Sequence, residues 1–535
     1  PTGRNFHAVD GDLLPTRIGY ALGAELAAKA MAKANAATAG SEAVILWASD
    51  AVRDEGAMVG FCLALLGAEP VWNARGIVTD VRLRPSVARR DAIVTTSGLF
   101  RDLYPNLLNH IDRAGRLALA ASARKLLAAE PHLATALHAA LTPLGAPVYG
   151  DEDPASNRVA AQWLLRLKAL QQQGLTPTAA GHAAALRIFG DAPGAYSAGV
   201  NRLAERSGAW RERAELGRVY LRRLGHAYGL GESGEAAHAA FDTALSGVAR
   251  SYHGRASNLY GLLDNNDAFD YLGGLSLAVE TLTGRRPEAL ILQHADPAHA
   301  AVEPLTTALL SELRGRHLNP EWLKPLMQHG YAGARTMGQE FLENLWGWQV
   351  TRPDLIQQWA WDEVKATYFD DNRQLGLPQF LATGRNAHVK AQMLAIFMVA
   401  AERGFWQADA ATIRRLGGEL AQLVARDGLP GSGHTAPNHP MWRWLAPRID
   451  AAAAQSLGVV LARARGETPS YASPHVAATP APTPAASAQA PSAPPPAERY
   501  FELRPEHLQE PSLPLMWLML GGGLLFATGL RRGWR

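Results

Sequence analysis

The chain has 535 residues, a length that at roughly 150 residues per domain favours three to four domains over one. With 47% hydrophobic and 19% charged residues it has a globular balance, which excludes wholesale disorder and a polytopic membrane protein. Fifty-two Lys and Arg against 49 Asp and Glu leave +3, too little for an electrostatic nucleic-acid binder, and the single cysteine, Cys62, excludes a disulfide framework, a cysteine zinc site and a thiolate-held cluster.

Residues 1–150 read as an α/β domain. Apolar residues at helical spacing predict a helix over Thr16–Asn35, and the continuous apolar run Ala43–Ala48 predicts a buried parallel strand. A second helix is expected over Asp54–Leu66, with Asp54 and Glu55 in its first turn, where the helix dipole favours negative charge. Pro70–Trp72 and Ala92–Thr96 are further strands. The pattern fits a doubly wound layer, in which ligands lie at the carboxyl ends of the strands, so Trp47–Arg53 and Ser97–Asp102 are the loops to watch.

From about residue 105 the chain reads as strongly helical, in Leu117–Ala129, Arg158–Gln173 and Ala410–Arg426. Residues 151–465 are therefore expected to form a helix-rich region, broken by a turn at Arg187–Tyr196 and by one short strand at Ile291–Gln293. Gly433–His439, with two histidines, reads as a surface loop. Residues 466–512 form a Pro/Ala-rich linker, with nine prolines in residues 469–497. Leu513–Leu530 is an uncharged 18-residue run closed by Arg531, Arg532 and Arg535, which reads as one transmembrane helix with a cytoplasmic C-terminus and a periplasmic large domain.

No Walker loop, Gly-x-Ser-x-Gly elbow, His-Glu-x-x-His or dinucleotide fingerprint is present, so no nucleotide is expected to bind this chain. Other motifs are present in order: Arg4-Asn5-Phe6, the run Ser97–Asn106, Arg187-Ile188-Phe189-Gly190 with Ala192–Tyr196, Leu318-Asn319-Pro320-Glu321-Trp322, His329–Ala334 and Gly347-Trp348. Together they resemble the CobN/magnesium-chelatase large-subunit family over about residues 1–450. The resemblance implies a multi-domain, tetrapyrrole-binding metallochelatase subunit of the cobaltochelatase type. It further implies a corrin or porphyrin ring and a divalent metal (cobalt, magnesium or iron) as substrates, and a separate AAA+ ATPase as partner.

The chain departs from the family at one place. Where cobalt- and magnesium-chelatase subunits tend to have a Glu-His-Asp cluster before Leu-Leu-Asp, this chain has Ser257-Asn258-Leu259-Tyr260-Gly261 before Leu262-Leu263-Asp264. That variant resembles a membrane-associated subgroup linked with haem, some of whose members are proposed to remove metal. A haem dechelatase, or a non-catalytic tetrapyrrole carrier serving haem-uptake transport components, is thus the alternative function.

Exchange of a metal for two pyrrole protons needs acid–base groups, a metal ligand, apolar walls and cations for the ring carboxylates. His329 is the candidate proton shuttle and metal ligand, Asp264 and Asp267 the proton acceptors, Arg101 the carboxylate clamp, and Tyr260 and Tyr271 the ring contacts. Each has a structural alternative: a helix C-cap for His329, turn or N-cap roles for the aspartates, an ion pair with Asp102 for Arg101, and core packing for the tyrosines.

Overall fold

A computed structural model describes residues 10–33 and 40–467 of the protein. The motif at Arg4, most of the linker and the span at Leu513–Leu530 lie outside the described residues. Among the described residues no helix is long and apolar enough to cross a membrane.

Ten strands are present among them: β1 (Ser41–Leu46), β2 (Ala68–Trp72), β3 (Val78–Leu83), β4 (Ala92–Thr96), β5 (Ile188–Gly190), β6 (His226–Gly229), β7 (Glu232–Ala236), β8 (Val248–Arg255), β9 (Glu288–Gln293) and β10 (Ala301–Pro304). Eight of them form one mixed sheet in the order β10-β9-β8-β1-β4-β5-β6-β7, while β2 and β3 form a separate antiparallel pair. The centre, β9-β8-β1-β4-β5, is parallel, and antiparallel strands close both edges. The described residues form one compact unit.

Every residue of β1 is buried, as a strand covered on both faces requires. The two-residue period of the strand sends Ala43 and Ile45 into one core and Val44 and Leu46 into the other. Helices therefore cover both sides of the sheet, giving a helix-rich α/β architecture.

The helix expected at Asp54–Leu66 is present as Ala57–Leu65, and a separate short helix, Ala48–Arg53, precedes it in the segment expected to be a loop. Asp54 lies between them and accepts the N–H groups of Gly56, Ala57 and Met58 at 2.9–3.3 Å, so its charge caps the second helix from outside. Gly56, at φ 80°, makes the break in a left-handed conformation that glycine adopts without steric cost. The run Leu117–Ala129 is likewise divided between helices Pro105–Ala120 and Ala123–Ala129.

The region beyond residue 105 is less uniformly helical than its sequence suggests, since it supplies β5 to β10. β8 was hidden by its polar residues. Arg250 in this strand is buried and paired with Glu42 of β1 through bonds of 2.9 and 2.8 Å, and Tyr252 donates to the same carboxylate at 3.0 Å. A polar strand is stable inside the sheet because its partners lie on the neighbouring strand.

Candidate functional site

β1 has β4 on one side and β8 on the other, which makes its carboxyl end a topological switch point, the place where doubly wound sheets bind ligands. A cavity of about 710 Å³ opens there, within the roughly 300–1,000 Å³ of small-molecule sites. Trp47, Asp50 and Arg53 follow β1, Ser97 and Gly98 follow β4, and His253 and Arg255 end β8; all seven line it.

Two titratable groups on its wall are strongly perturbed. Burial, reinforced by the charge of Asp54, pushes the Asp50 carboxyl up to about 7 against the pull of His294 and Arg53. His253 is pushed down to about 4 by burial, with His294 and Arg255 adding to the effect, so its imidazole is neutral at physiological pH. Its Nδ1 is buried without a hydrogen-bond partner, and its ring meets Trp47 edge-on at 4.5 Å. Behind them, His294 places Nδ1 2.7 Å from the Leu292 carbonyl and Nε2 3.0 Å from Asp54. Two acceptors at its two nitrogens favour the cationic ring, and although burial opposes that form, Asp54 holds the His294 pKa above its ordinary value.

Three of the residues expected from the sequence line this cavity: Tyr260, Tyr271 and Asp267. Tyr260 is exposed and lies under the Arg53 guanidinium at 5.1 Å. Tyr271 is buried, edge-on to Trp47 at 6.0 Å. Burial raises the Asp267 carboxyl above the usual carboxylate range.

The other three lie elsewhere. Arg101 is 5% exposed, and its guanidinium is saturated within the protein. It pairs with Asp102 at 2.7 and 3.0 Å, with Asp191 at 2.8 Å, and donates to the carbonyls of Asp191, Ala192 and Ala195. The cations that line the cavity are Arg53, Arg202 and Arg255. His329 is exposed at the C-cap of helix Pro320–Gln328 and lines neither this cavity nor the second one described below. Asp264 turns away from the first cavity and lines the second.

That second cavity, of about 530 Å³, shares Glu205, Asn265 and Asn266 with the first. Glu343 lines it and leads inward to the loop that the sequence suggested was on the surface. There His434 and His439 are buried because both are satisfied by protein groups. The Met441 N–H donates to His439 Nδ1 at 3.0 Å, and burial pushes this imidazole down to about 4, so its proton is on Nε2. That atom lies 2.8 Å from Ser207 Oγ, which lies 2.7 Å from His434 Nδ1. The hydroxyl therefore accepts from His439 and donates to His434, leaving His434 Nε2–H to donate to Glu343 at 2.7 Å.

Asp264 also comes together with Glu312 and His317, their ligand atoms all within 4.8 Å of one another. Sequence reasoning missed Asp50, His253, Glu312 and His317. Asp50 lay in a loop flagged by the topology, but His253 sat in a segment with no recognisable motif and His317 one residue before the motif that begins at Leu318.

Fold and cavity thus define a helix-rich α/β protein with a mixed sheet covered on both faces and a cavity at its switch point. The CobN/Magnesium Chelatase family matches residues 1–413, and the chain belongs to that family. It is 31% identical over 345 residues to the aerobic cobaltochelatase subunit CobN of Sinorhizobium sp, covering 62% of this chain and 24% of that protein. Identity to a magnesium-chelatase subunit of Rhodobacter capsulatus is 28% over 434 residues, 80% of this chain and 32% of the relative. The catalytic subunit of cobaltochelatase from Mycobacterium tuberculosis superimposes with a TM-score of 0.68 at 27% identity, over 79% of this chain and 33% of the other. The chain thus spans about a quarter to a third of the length of these relatives.

Proposed function

We propose that this chain is the ring-binding part of a tetrapyrrole metallochelatase and that its first cavity is where a divalent metal exchanges with two ring protons. The observation that supports this is the convergence, in one cavity at the switch point, of carboxyls with raised pKa values, a neutral imidazole and the exposed arginines Arg53 and Arg202. Asp50, poised near neutrality, and Asp267 take the protons that leave the pyrrole nitrogens on insertion, or supply them on removal. Unprotonated His253 passes the metal to or from the ring. Trp47, Tyr260 and Tyr271 wall the flat macrocycle, while Arg53 and Arg202 answer its carboxylates.

The relatives are cobalto- and magnesium-chelatase subunits, which favours insertion of cobalt or magnesium with a separate AAA+ ATPase as the motor. A second reading runs the same groups in reverse, as removal of metal from haem. It is favoured by Ser257 and Tyr260, which line the cavity in the segment where the family tends to have an acid–base cluster. In this reading the linker and the span at Leu513–Leu530 tether a periplasmic domain to the membrane.

Absorption titration of purified protein with a metal-free corrin, a porphyrin and haem tests ring binding: a saturable spectral shift at one ring per chain is expected, and no shift with any of them rejects the proposal. A reporter fusion that places residues 1–465 outside the inner membrane rejects the ATPase-driven reaction and leaves removal.

A further inference from the structure

The side chains of Asp264, Glu312 and His317 form a cluster that the exchange cavity does not use. His317 is fully buried, and neither ring nitrogen has a hydrogen-bond partner, a costly state for an imidazole unless something else completes it. The ring cannot turn away to find one. It stacks on Phe341 at 4.3 Å with planes 8° apart and meets Trp322 edge-on at 4.7 Å.

Its Nε2 instead faces two carboxylate oxygens, Asp264 Oδ1 at 3.5 Å and Glu312 Oε1 at 3.8 Å. These separations are long for hydrogen bonds. The shorter falls within, and the longer just beyond, the roughly 3.3–3.6 Å that separates ligand atoms in a tetrahedral shell with bonds of about 2.0–2.2 Å, and the three ligand atoms all lie within 4.8 Å of one another, so the set needs only a small contraction to share one ion. Glu312 is held in position by the N–H groups of Leu262 at 2.8 Å and Leu263 at 2.9 Å.

The backbone is shaped to the same end. Glu312 and His317 are five residues apart, which on a regular α-helix puts them about 140° apart around the axis. Here residues Leu313–His317 form a wide π-helical turn, closed by the bond from Leu318 N–H to the Leu313 carbonyl, which swings both side chains toward Asp264. Such turns recur at functional sites.

We propose that Asp264, Glu312 and His317 form a holding site for a divalent transition-metal ion, filled when Arg316 withdraws. One imidazole with two carboxylates suits cobalt, zinc or ferrous iron better than magnesium. Arg316 donates to Asp264 Oδ2 at 2.5 Å and lies 3.8 Å from Glu312, with Arg255 3.8 Å from the other Glu312 oxygen. The arginine side chain is 30% exposed, so it has water into which to move. Guanidinium and metal compete for the same negative charge, which makes the ion releasable. Asp264 opens the site to the second cavity, and the turn at Gly261 and Leu262, whose other face lines the first, separates it from the exchange cavity.

The purpose of this site rests on the metal-exchange reading, but its existence is tested without a ring. The chelator-treated, tag-free full chain is titrated with Co²⁺ alone, followed by visible ligand-field absorption and equilibrium dialysis. The expected result is one Co²⁺ per chain with a low-coordinate spectrum, weakened at least about tenfold by His317→Ala and by Asp264→Asn and tightened about tenfold by Arg316→Gln. Should His317→Ala fail to fold, as judged by circular dichroism, Asp264→Asn and Arg316→Gln decide. Absence of Co²⁺ binding in both the native chain and Arg316→Gln overturns the proposal. So does binding that is indifferent to Asp264→Asn and Arg316→Gln, or lost in His329→Ala and kept in His317→Ala. Co²⁺ held here but never found in a bound ring rejects the exchange reading and leaves the holding site intact.

Discussion

The Nε2 atom of His434 lies 2.7 Å from Oε1 of Glu343, joining a buried loop to a carboxylate on the wall of the second cavity. Ser207 sits behind that contact and fixes the tautomers of both His434 and His439. Ser207→Ala leaves a buried donor on His439 and a buried acceptor on His434 unpaired. A loss of about 1–3 kcal/mol in chemical denaturation is expected, with ring affinity unchanged. Unaltered stability would show that the chain of bonds is not formed.

Asp50 links the cavity to the stability of the fold. Its carboxyl is raised to about 7 from an ordinary value near 4, so between those values the folded protein binds more protons at this site than the unfolded chain. Its contribution is therefore favourable at low pH and is lost as pH rises from about 4 to 7. Asp50→Asn removes that loss. The variant is expected to be more stable than the native protein at pH 8, by roughly 1–4 kcal/mol, with the gap closing toward pH 4. Parallel melting curves across that range check it; a variant less stable at pH 8 contradicts the assignment.

Arg101 and Arg53 separate structural from binding charge. Arg101→Ala strands the buried Asp191 carboxylate and is expected to cost about 3–5 kcal/mol of stability. Arg53→Ala, at an exposed position, is expected to change stability by no more than about 0.5 kcal/mol and to weaken binding of a carboxylated porphyrin about tenfold. Denaturation and absorption titration on both variants test the pair. A weaker ring affinity in correctly folded Arg101→Ala, with none in Arg53→Ala, reverses the roles.

Gly261 is the point of closest approach between the cavity turn and Glu312. A Cβ there would stand 1.9 Å from Glu312 Oε1. Gly261→Ala must move either the turn or the carboxylate, and a loss of about 1–3 kcal/mol is expected, together with weakened Co²⁺ binding. A variant with native stability and native Co²⁺ affinity would mean that the turn does not press on Glu312.

The apolar strands were legible in the sequence because strands buried on both faces read as continuous apolar runs, and Ala92–Thr96 matches β4 to the residue. β8 was not, because Arg250 and Tyr252 look solvent-facing until Glu42 is placed beside them. With β8 went His253. Asp264 was read from its place after Leu262-Leu263 in the family motif, but its partners Glu312 and His317 are about 50 residues away in sequence and meet it only through a π-helical turn. His434 and His439 looked like a surface loop because the serine that buries them, Ser207, is more than 200 residues earlier.

The central claim, that metal and protons exchange in the first cavity, is tested most directly by adding metal-free ring and Co²⁺ to native protein and Asp50→Asn with whatever ATPase partner the reaction needs. Ring-bound metal is quantified alongside ring absorption. The account predicts that both proteins bind one ring and that Asp50→Asn metallates it, or in the haem direction demetallates it, at least about a hundredfold more slowly at pH 7. Equal rates in the two proteins, or native protein that binds no ring, would contradict it.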